Sequence, residues 1–157
     1  MMHLETLGQI GKLKQALFIK FIVKPAIVVD FGTATVFDAI SEDSQYIGGA
    51  IVPGISVSAD ALYHGTSQLR RVDLNIPKTV VGKNTIHALQ SGLIFGHISM
   101  VEGMIKRLKA ELGGNPIVVA TGGFSELVNK NTDVFDYVDL NLTLSGLCCI
   151  FELNQHK

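Results

Sequence analysis

The sequence has little charge, no tryptophan and no long uninterrupted apolar run. Charged residues make up 17% of the 157 residues, and 13 basic residues against 14 acidic ones leave no basic surplus. Because a general nucleic-acid-binding protein carries such a surplus, we predict no nucleic-acid partner. The most apolar early stretch, residues 16–23, is short and contains Lys20, which argues against a membrane span or an export signal. We therefore expect a cytoplasmic protein that has no membrane partner.

Cysteine is also scarce, since it occurs only at Cys148 and Cys149, side by side in an apolar run. Neighbouring cysteines rarely bridge each other, and two thiols alone do not form a metal site. Buried thiols on a helix in a reducing compartment are the simplest interpretation.

Hydrophobic residues are abundant, at 47% of the sequence, which excludes intrinsic disorder and favours one compact domain. High apolar content with little charge also indicates a surface that a partner subunit covers.

The hydrophobic period divides the chain into two parts. Residues 1–24 alternate lysines with apolar residues, which predicts an amphipathic helix packed on a sheet, with a membrane-surface helix as the alternative. Residues 25–157 then form the main unit. Its predicted strands are 26–31, 35–40, 46–52, 116–120 and 137–138, and its predicted helices are 55 to about 69, 84 to about 112, one ending at Asn129, and 142–153.

The spacing of these elements predicts an α/β fold. Three strands joined by such short turns must form an antiparallel meander, and right-handed crossovers then add parallel strands. We therefore expect a mixed sheet with a three-strand antiparallel meander and flanking helices. This order is that of a single ribonuclease-H-like lobe of the actin type.

The longest predicted helix, from residue 84 to about 112, has an unusual stripe of small residues. Gly92, Gly96 and Gly103 follow helical steps on one side, together with Ala88 and Ser99. Each glycine costs about 1 kcal/mol in a helix relative to alanine, so the stripe needs a compensating cause. Close approach by another element and a kinked helix are equally good explanations.

Three glycine-containing turns are candidate binding sites. Residues 30–33, Asp-Phe-Gly-Thr, place a carboxylate at a strand end before a glycine and a hydroxyl, which suits a phosphate held through a cation. Residues 121–123, Thr-Gly-Gly, form a strand-to-helix turn of the kind that binds nucleotides. Residues 82–85, Gly-Lys-Asn-Thr, begin the long helix, where a carboxylate ligand can bind. Taken alone, each turn is more typical of ordinary turn formation or helix capping than of a binding site.

The histidines do not form a catalytic set. His64, His87 and His97 lie on helical stretches without metal-ligand spacing, so each is interpreted as a surface or core-edge residue. No Ser-His-Asp order and no P-loop sequence occurs.

Five motifs in this order resemble the C-terminal lobe of the type III pantothenate kinase family, in the acetate/sugar kinase and actin superfamily. The similarity runs from about Pro25 to Asn154. The motifs are Asp-Phe-Gly-Thr-Ala-Thr at 30–35, Gly-Gly-Ala-Ile-Val-Pro-Gly at 48–54, Gly-Lys-Asn-Thr at 82–85 leading into Ala-Leu-Gln-Ser-Gly at 88–92, Thr-Gly-Gly at 121–123 and Leu-Thr-Leu-Ser-Gly-Leu at 142–147.

The resemblance implies an ATP-dependent phosphorylation of pantothenate, in coenzyme A biosynthesis, by a homodimer. It implies that Asp30 holds a monovalent cation, typically potassium, with Mg²⁺ as a further candidate. Thr85 would contact pantothenate across the dimer interface. The residues that would bind ATP are Gly32, Thr33, Gly122 and Gly123.

The sequence departs from this family at two places. The family opens with an N-terminal lobe that carries an Asp-x-Gly-Asn-Thr loop, which does not occur in these 157 residues. The family's Gly-Ala-Asp-Arg, which supplies the catalytic base, corresponds by count from Pro25 to residues 8–11, Gly-Gln-Ile-Gly, so Ile10 stands at the base position. We therefore assign no catalytic residue and expect this chain alone to be weakly active or inactive, with a separate N-terminal lobe as a partner. The alternative is a non-catalytic dimerising or nucleotide-binding remnant of the fold.

Overall fold

The computed structural model describes residues 25–155, except for the side chains of 149, 150 and 152–155. The predicted helix over residues 1–24, including positions 8–11, lies outside the described residues. The strands are β1 (Ala26–Phe31), β2 (Ala34–Ile40), β3 (Tyr46–Pro53), β4 (Ile117–Thr121) and β5 (Tyr137–Val138). The helices are α1 (Ile55–Gly65), α2 (Thr85–Leu112), α3 (Ser125–Asn129) and α4 (Leu142–Gln155).

The five strands form one sheet in the order β3-β2-β1-β4-β5. The β1–β2 and β2–β3 pairs are antiparallel, whereas β1–β4 and β4–β5 are parallel. This arrangement confirms the predicted meander, the mixed sheet and the flanking helices. The central strand β1 carries Asp30 close to its carboxyl end, at the same edge of the sheet as the carboxyl end of β4.

Side chains along β1 alternate between two apolar clusters on opposite faces of the sheet, as the period of a strand requires. One face packs against α1 and α2, and the other packs against Leu142 at the start of α4. Asp30 is two residues beyond Val28 and therefore points to the α4 face. The first cluster includes Ile27, Val29, Phe31, Ile55, Ile94, Ile98 and Val101, and the second includes Ala26, Val28, Ile40 and Val119.

Helix α2 begins at a side-chain cap, because the Oδ1 of Asn84 accepts a hydrogen bond from the backbone N–H of His87 at 2.9 Å. Its glycine stripe is exposed. A Cβ atom added at Gly92, Gly96 or Gly103 would meet nothing within 4 Å. Within the described residues, therefore, no other element approaches the stripe closely.

Two local predictions were wrong. Helix α1 ends at Gly65 rather than near residue 69, because Thr66 turns to an extended conformation and its hydroxyl donates to the carbonyl of Leu62 at 2.9 Å. The thiol of Cys148 is exposed and not buried. Leu142 packs on the sheet, and Cys148 follows it by six residues in the same helix. At about 100° per residue, Cys148 therefore lies about 120° around the helix axis from Leu142, away from the side that packs on the sheet.

The outer strand of the meander, β3, has one neighbour, β2. Its side chains alternate between half-buried and exposed, and Ile47 and Ile51 are on the exposed side. At the opposite edge β5 has two residues. In the described part of the chain, none of the helices combines the length and the apolar character that crossing a membrane requires.

Candidate functional site

The turn between β1 and β2 is exposed at its tip and buried at its base. Gly32 and Thr33 are exposed, whereas Phe31 and Thr35 on either side are 1% exposed. The Gly32 N–H donates to the carbonyl of Ala34 at 3.1 Å and closes the turn. A ligand can therefore reach the backbone of Gly32 and the hydroxyl of Thr33, while the base of the turn is fixed in the core.

The start of α1 packs directly on this turn. The Gly54 N–H donates to the carbonyl of Thr33 at 3.0 Å. A Cβ atom at Gly54 would lie closer than 3.0 Å to the carbonyl oxygens of Gly32 and Thr33, so this position requires glycine. The N-terminal end of a helix carries partial positive charge, which adds favourable potential for an anion beside the turn.

The turn after β4 packs against the same place from the other side. Gly122 has φ +90°, and a Cβ atom there would lie 2.7 Å from Asp30 Oδ1 and 2.7 Å from both the backbone N and O of Phe31. The pairing of Asp30 with Thr121 in the parallel β1–β4 ladder produces this proximity. Gly123 follows and is exposed. The structure thus brings Asp30, Gly32, Thr33, Gly122 and Gly123 to one edge of the sheet.

Asp30 is half-buried at this edge. No group of three or more His, Cys, Asp or Glu side chains among residues 25–155 is placed to hold a metal ion. A single carboxylate fits a different kind of site, in which a cation shares its oxygen ligands with the phosphates of a substrate. The donor set at Asp30 therefore fits a monovalent cation or a phosphate-bound Mg²⁺.

A second acid on the same face, Asp38, is committed to another partner. Asp38 is 4% exposed and accepts a hydrogen bond from the phenol of Tyr46. Burial, the negative charge of Asp38 and this hydrogen bond together raise the pKa of Tyr46 above its usual value. The phenol therefore stays protonated and satisfies the buried carboxylate.

The structure does not bring Thr85 to this edge within one chain. Thr85 is the first residue of α2 and is exposed. His97, twelve residues further along α2, contacts the base of the β1–β2 turn. At about 1.5 Å of rise per residue, Thr85 is displaced by about 18 Å along the helix axis from the level of that contact.

His97 is a residue of this site whose place the sequence interpretation missed. It is 8% exposed, and its Nε2 lies 2.9 Å from the hydroxyl oxygen of Thr35. Its ring centroid is 6.2 Å from that of Phe31. Burial lowers the pKa of His97 below its usual value. Its position in the apolar repeat of α2, between Ile94 and Val101, could have indicated from the sequence that His97 is buried.

These features define the class of the protein. An antiparallel meander extended by two parallel strands, with glycine turns converging on a carboxylate at the carboxyl ends of β1 and β4, is one α/β lobe of the actin type. A solved structure agrees with this fold. The chain resembles a protein from Campylobacter jejuni, named as a candidate Baf-family transcriptional activator, with TM-score 0.65 and 22% identity over 90% of this chain and 63% of that one.

Comparison of sequences gives the family. The family model for type III pantothenate kinase matches residues 13–107. Type III pantothenate kinases from Moorella thermoacetica and Roseiflexus sp. (strain RS-1) are each 52% identical over 83% of this chain, and the one from Halalkalibacterium halodurans is 49% identical over 83%. The chain belongs to the type III pantothenate kinase family. It spans about half the length of these relatives, since each match covers 51% of the relative.

Proposed function

We propose that this chain supplies the cation- and phosphate-binding lobe of an enzyme that transfers a phosphoryl group from ATP to pantothenate, in coenzyme A biosynthesis in the cytoplasm. The observation that carries the proposal is the contact between the two glycine turns. Gly122 packs so closely on Asp30 and Phe31 that any Cβ would collide with them. A carboxylate and two open backbone turns at one edge suit a nucleotide's phosphates and their counter-cation.

Each proposed role follows from the chemistry of its residue. The exposed Thr33 hydroxyl donates a hydrogen bond to a phosphate oxygen beside Gly32, and the Gly122–Gly123 turn leaves room for the nucleotide at its open residue, Gly123. Asp30 and a phosphate repel each other when both are ionised. A potassium ion between them turns this repulsion into two attractions, and Mg²⁺ on the phosphates is the second candidate.

We propose that Thr85 reaches pantothenate through a homodimer. Val80, Val81 and Ile86 around it are large apolar residues that are 67%, 77% and 54% exposed. Gly92 lies seven residues, about two helical turns, after Thr85, so the open glycine stripe shares one side of α2 with Thr85 and allows close approach of a second backbone. A partner subunit on this surface can place its own Thr85 near the turn of the first subunit.

The complete reaction needs this lobe and a second lobe. The second lobe corresponds to the half of each relative that this chain does not match, and it can belong to the same polypeptide or to a separate one. Phosphoryl transfer depends on positioning and on charge stabilisation from both sides of the phosphates. A missing general base costs about 10²–10⁴-fold in rate. We therefore expect the 157 residues alone to show little or no turnover.

Titration calorimetry with ATP, with and without potassium, tests the binding role. Heat is expected with ATP in potassium, and Asp30→Asn is expected to weaken ATP binding by about tenfold or more, the effect of one charge-assisted contact. Asp43→Asn is the matched control, because Asp43 is exposed in the turn at the other end of β2. Equal ATP affinity in the two variants would contradict the role of Asp30.

A coupled assay with pantothenate, ATP and potassium tests the reaction. The chain is mixed with the separately expressed remainder of the Moorella thermoacetica relative, and turnover is expected only in the mixture. Turnover by the chain alone at an ordinary enzyme rate would refute its dependence on a second lobe. No heat from ATP or pantothenate and no turnover in the mixture would favour the non-catalytic remnant.

Light scattering tests the dimer. Gly92→Leu places a large side chain on the open stripe, where nothing in the described residues would meet its Cβ. It is expected to convert a dimer to a monomer or an aggregate. Gly65→Leu, at the end of α1 and equally open, is the control. An unchanged scattering mass for Gly92→Leu would remove this interface from the proposal.

A further inference from the structure

The base of the β1–β2 turn is held by a polar contact inside an apolar cluster. Phe31 and Thr35 are paired across the hairpin and form the last cross-strand pair before the turn. His97 from α2 touches both of them, through the hydrogen-bond contact of 2.9 Å between its Nε2 and Thr35 Oγ1 and through its ring beside Phe31. One side chain therefore contacts both strands at the point where the turn begins.

We propose that the His97–Thr35 pair is a positioning clamp that keeps the Gly32–Thr33 turn in its ligand-binding shape. The consequence for nucleotide binding rests on the proposed function, whereas the effect on the turn itself does not. His97 is a positioning residue, since it acts through Thr35 and Phe31 and lies behind the exposed tip of the turn.

Packing alone does not account for these two residues. The neighbouring inward positions of α2 are Ile94, Ile98 and Val101, and a β-branched apolar residue would fill the place of Thr35 in a strand equally well. A hydrogen bond is directional, so the pair selects one orientation of β2 relative to α2 where apolar contacts would accept several. Among the described residues, no fully buried side-chain nitrogen or oxygen lacks a partner, and this contact supplies one to Thr35 Oγ1 and to His97 Nε2.

Loss of either partner leaves the other polar group buried without a hydrogen bond. Solvent reaches the turn beside this pair, because Gly32 and Thr33 are exposed. Opening of the turn would let water hydrogen-bond to the remaining polar side chain. We therefore expect variants that lack Thr35 Oγ1 or His97 Nε2 to populate an open turn. The β1–β4 and β2–β3 ladders do not depend on this contact, so we expect the effect to be local.

Amide hydrogen exchange tests the clamp without any ligand. The Gly32 and Gly54 amides report on the turn, since their acceptors are Ala34 O and Thr33 O. Thr35→Val keeps the shape and removes the hydroxyl, whereas Thr35→Ser keeps the hydroxyl. We expect these two amides to exchange about tenfold faster in Thr35→Val and within about twofold of wild type in Thr35→Ser, the size expected for one hydrogen bond. The amides of β4 are the internal reference.

Three results decide the proposal. A merely structural role would accelerate exchange in β4 as much as in the turn, and this result would overturn the clamp. Unchanged turn amides in Thr35→Val, or equal acceleration in Thr35→Ser, would overturn it as well. His97→Phe keeps a ring beside Phe31 and repeats the test from the other partner if Thr35→Val does not fold. The double variant is expected to exchange no faster than either single variant.

Calorimetry with ATP and potassium separates this inference from the proposed function. If the wild-type chain binds ATP, Thr35→Val is expected to weaken the affinity in inverse proportion to the fraction of molecules with a closed turn, about tenfold where that fraction is one tenth, with recovery in Thr35→Ser. Unchanged ATP affinity with an open turn would overturn the link to binding. If the wild-type chain binds no ATP while the turn amides respond as expected, the clamp stands and the phosphate-binding role fails.

Discussion

Replacement of Gly122 by alanine is the sharpest test of the convergent turns. Gly122 has φ +90°, and its added Cβ would be 2.7 Å from Asp30 Oδ1 and from the backbone N and O of Phe31. The carboxylate can rotate away, but the Phe31 backbone belongs to the central strand and cannot. A sparsely populated backbone conformation costs about 1–3 kcal/mol, and insertion of a methyl group into filled space costs about 1–3 kcal/mol more.

The expected destabilisation of Gly122→Ala is therefore about 2–6 kcal/mol. For a domain of this size, such a loss lowers the midpoint of thermal unfolding by about 4–24 °C. Thermal and urea unfolding followed by circular dichroism measure it. The stability control is Gly123→Ala, next in sequence, where an added Cβ meets nothing within 4 Å and a change within about 0.5 kcal/mol is expected. If the two variants were equally stable, the packing of the β4 turn on Asp30 would be refuted.

The remaining predictions concern single side chains. Asn84→Ala removes the cap of α2 and is expected to cost about 1 kcal/mol in urea unfolding; no loss would show that the cap contributes nothing. Because burial lowers the pKa of His97, the unfolded chain takes up the proton first as the pH falls below 6.5, so stability should decline towards the lower pKa of the folded state. His97→Gln should flatten this decline, and an unchanged slope would contradict the assignment. Asp38→Asn should lower the pKa of Tyr46, measured by ultraviolet titration of the phenolate against Tyr46→Phe.

The sequence predicted the sheet well because its constraints are local. Residues 26–31 form a continuous apolar run, and the two-residue connection to β2 permits no geometry except an antiparallel hairpin. The crossover from α2 into β4 then follows from the handedness of such connections. The hydrophobic period and the turn residues predicted the order of all nine described elements and most boundaries to within one or two residues.

The failures involve contacts between residues distant in sequence or choices among capping groups. The end of α1 depends on one hydroxyl, that of Thr66, which turns back to Leu62. The exposure of Cys148 depends on which side of α4 meets the sheet, which an apolar run does not specify.

The candidate site was only partly readable from the sequence for the same reason. Two parallel strands bring Asp30 and Gly122 to one edge, so their neighbourhood follows from the topology. The distance of 2.7 Å between a Cβ at Gly122 and Asp30 Oδ1 does not follow from the topology, since it depends on the φ angle of Gly122. The pairing of His97 with Thr35 joins residues 62 positions apart, and no local pattern encodes it.

The two borders of the sheet differ in what they offer to another chain. β5 has two residues and gives an incoming strand little to pair with. β3 has eight residues, ends at a proline that donates no hydrogen bond, and shows Ile47 and Ile51 on its exposed side. Among the described strands, edge-to-edge pairing between molecules at high concentration would therefore start along β3. Ile51→Lys would place a charge on this edge strand and is expected to keep concentrated samples soluble.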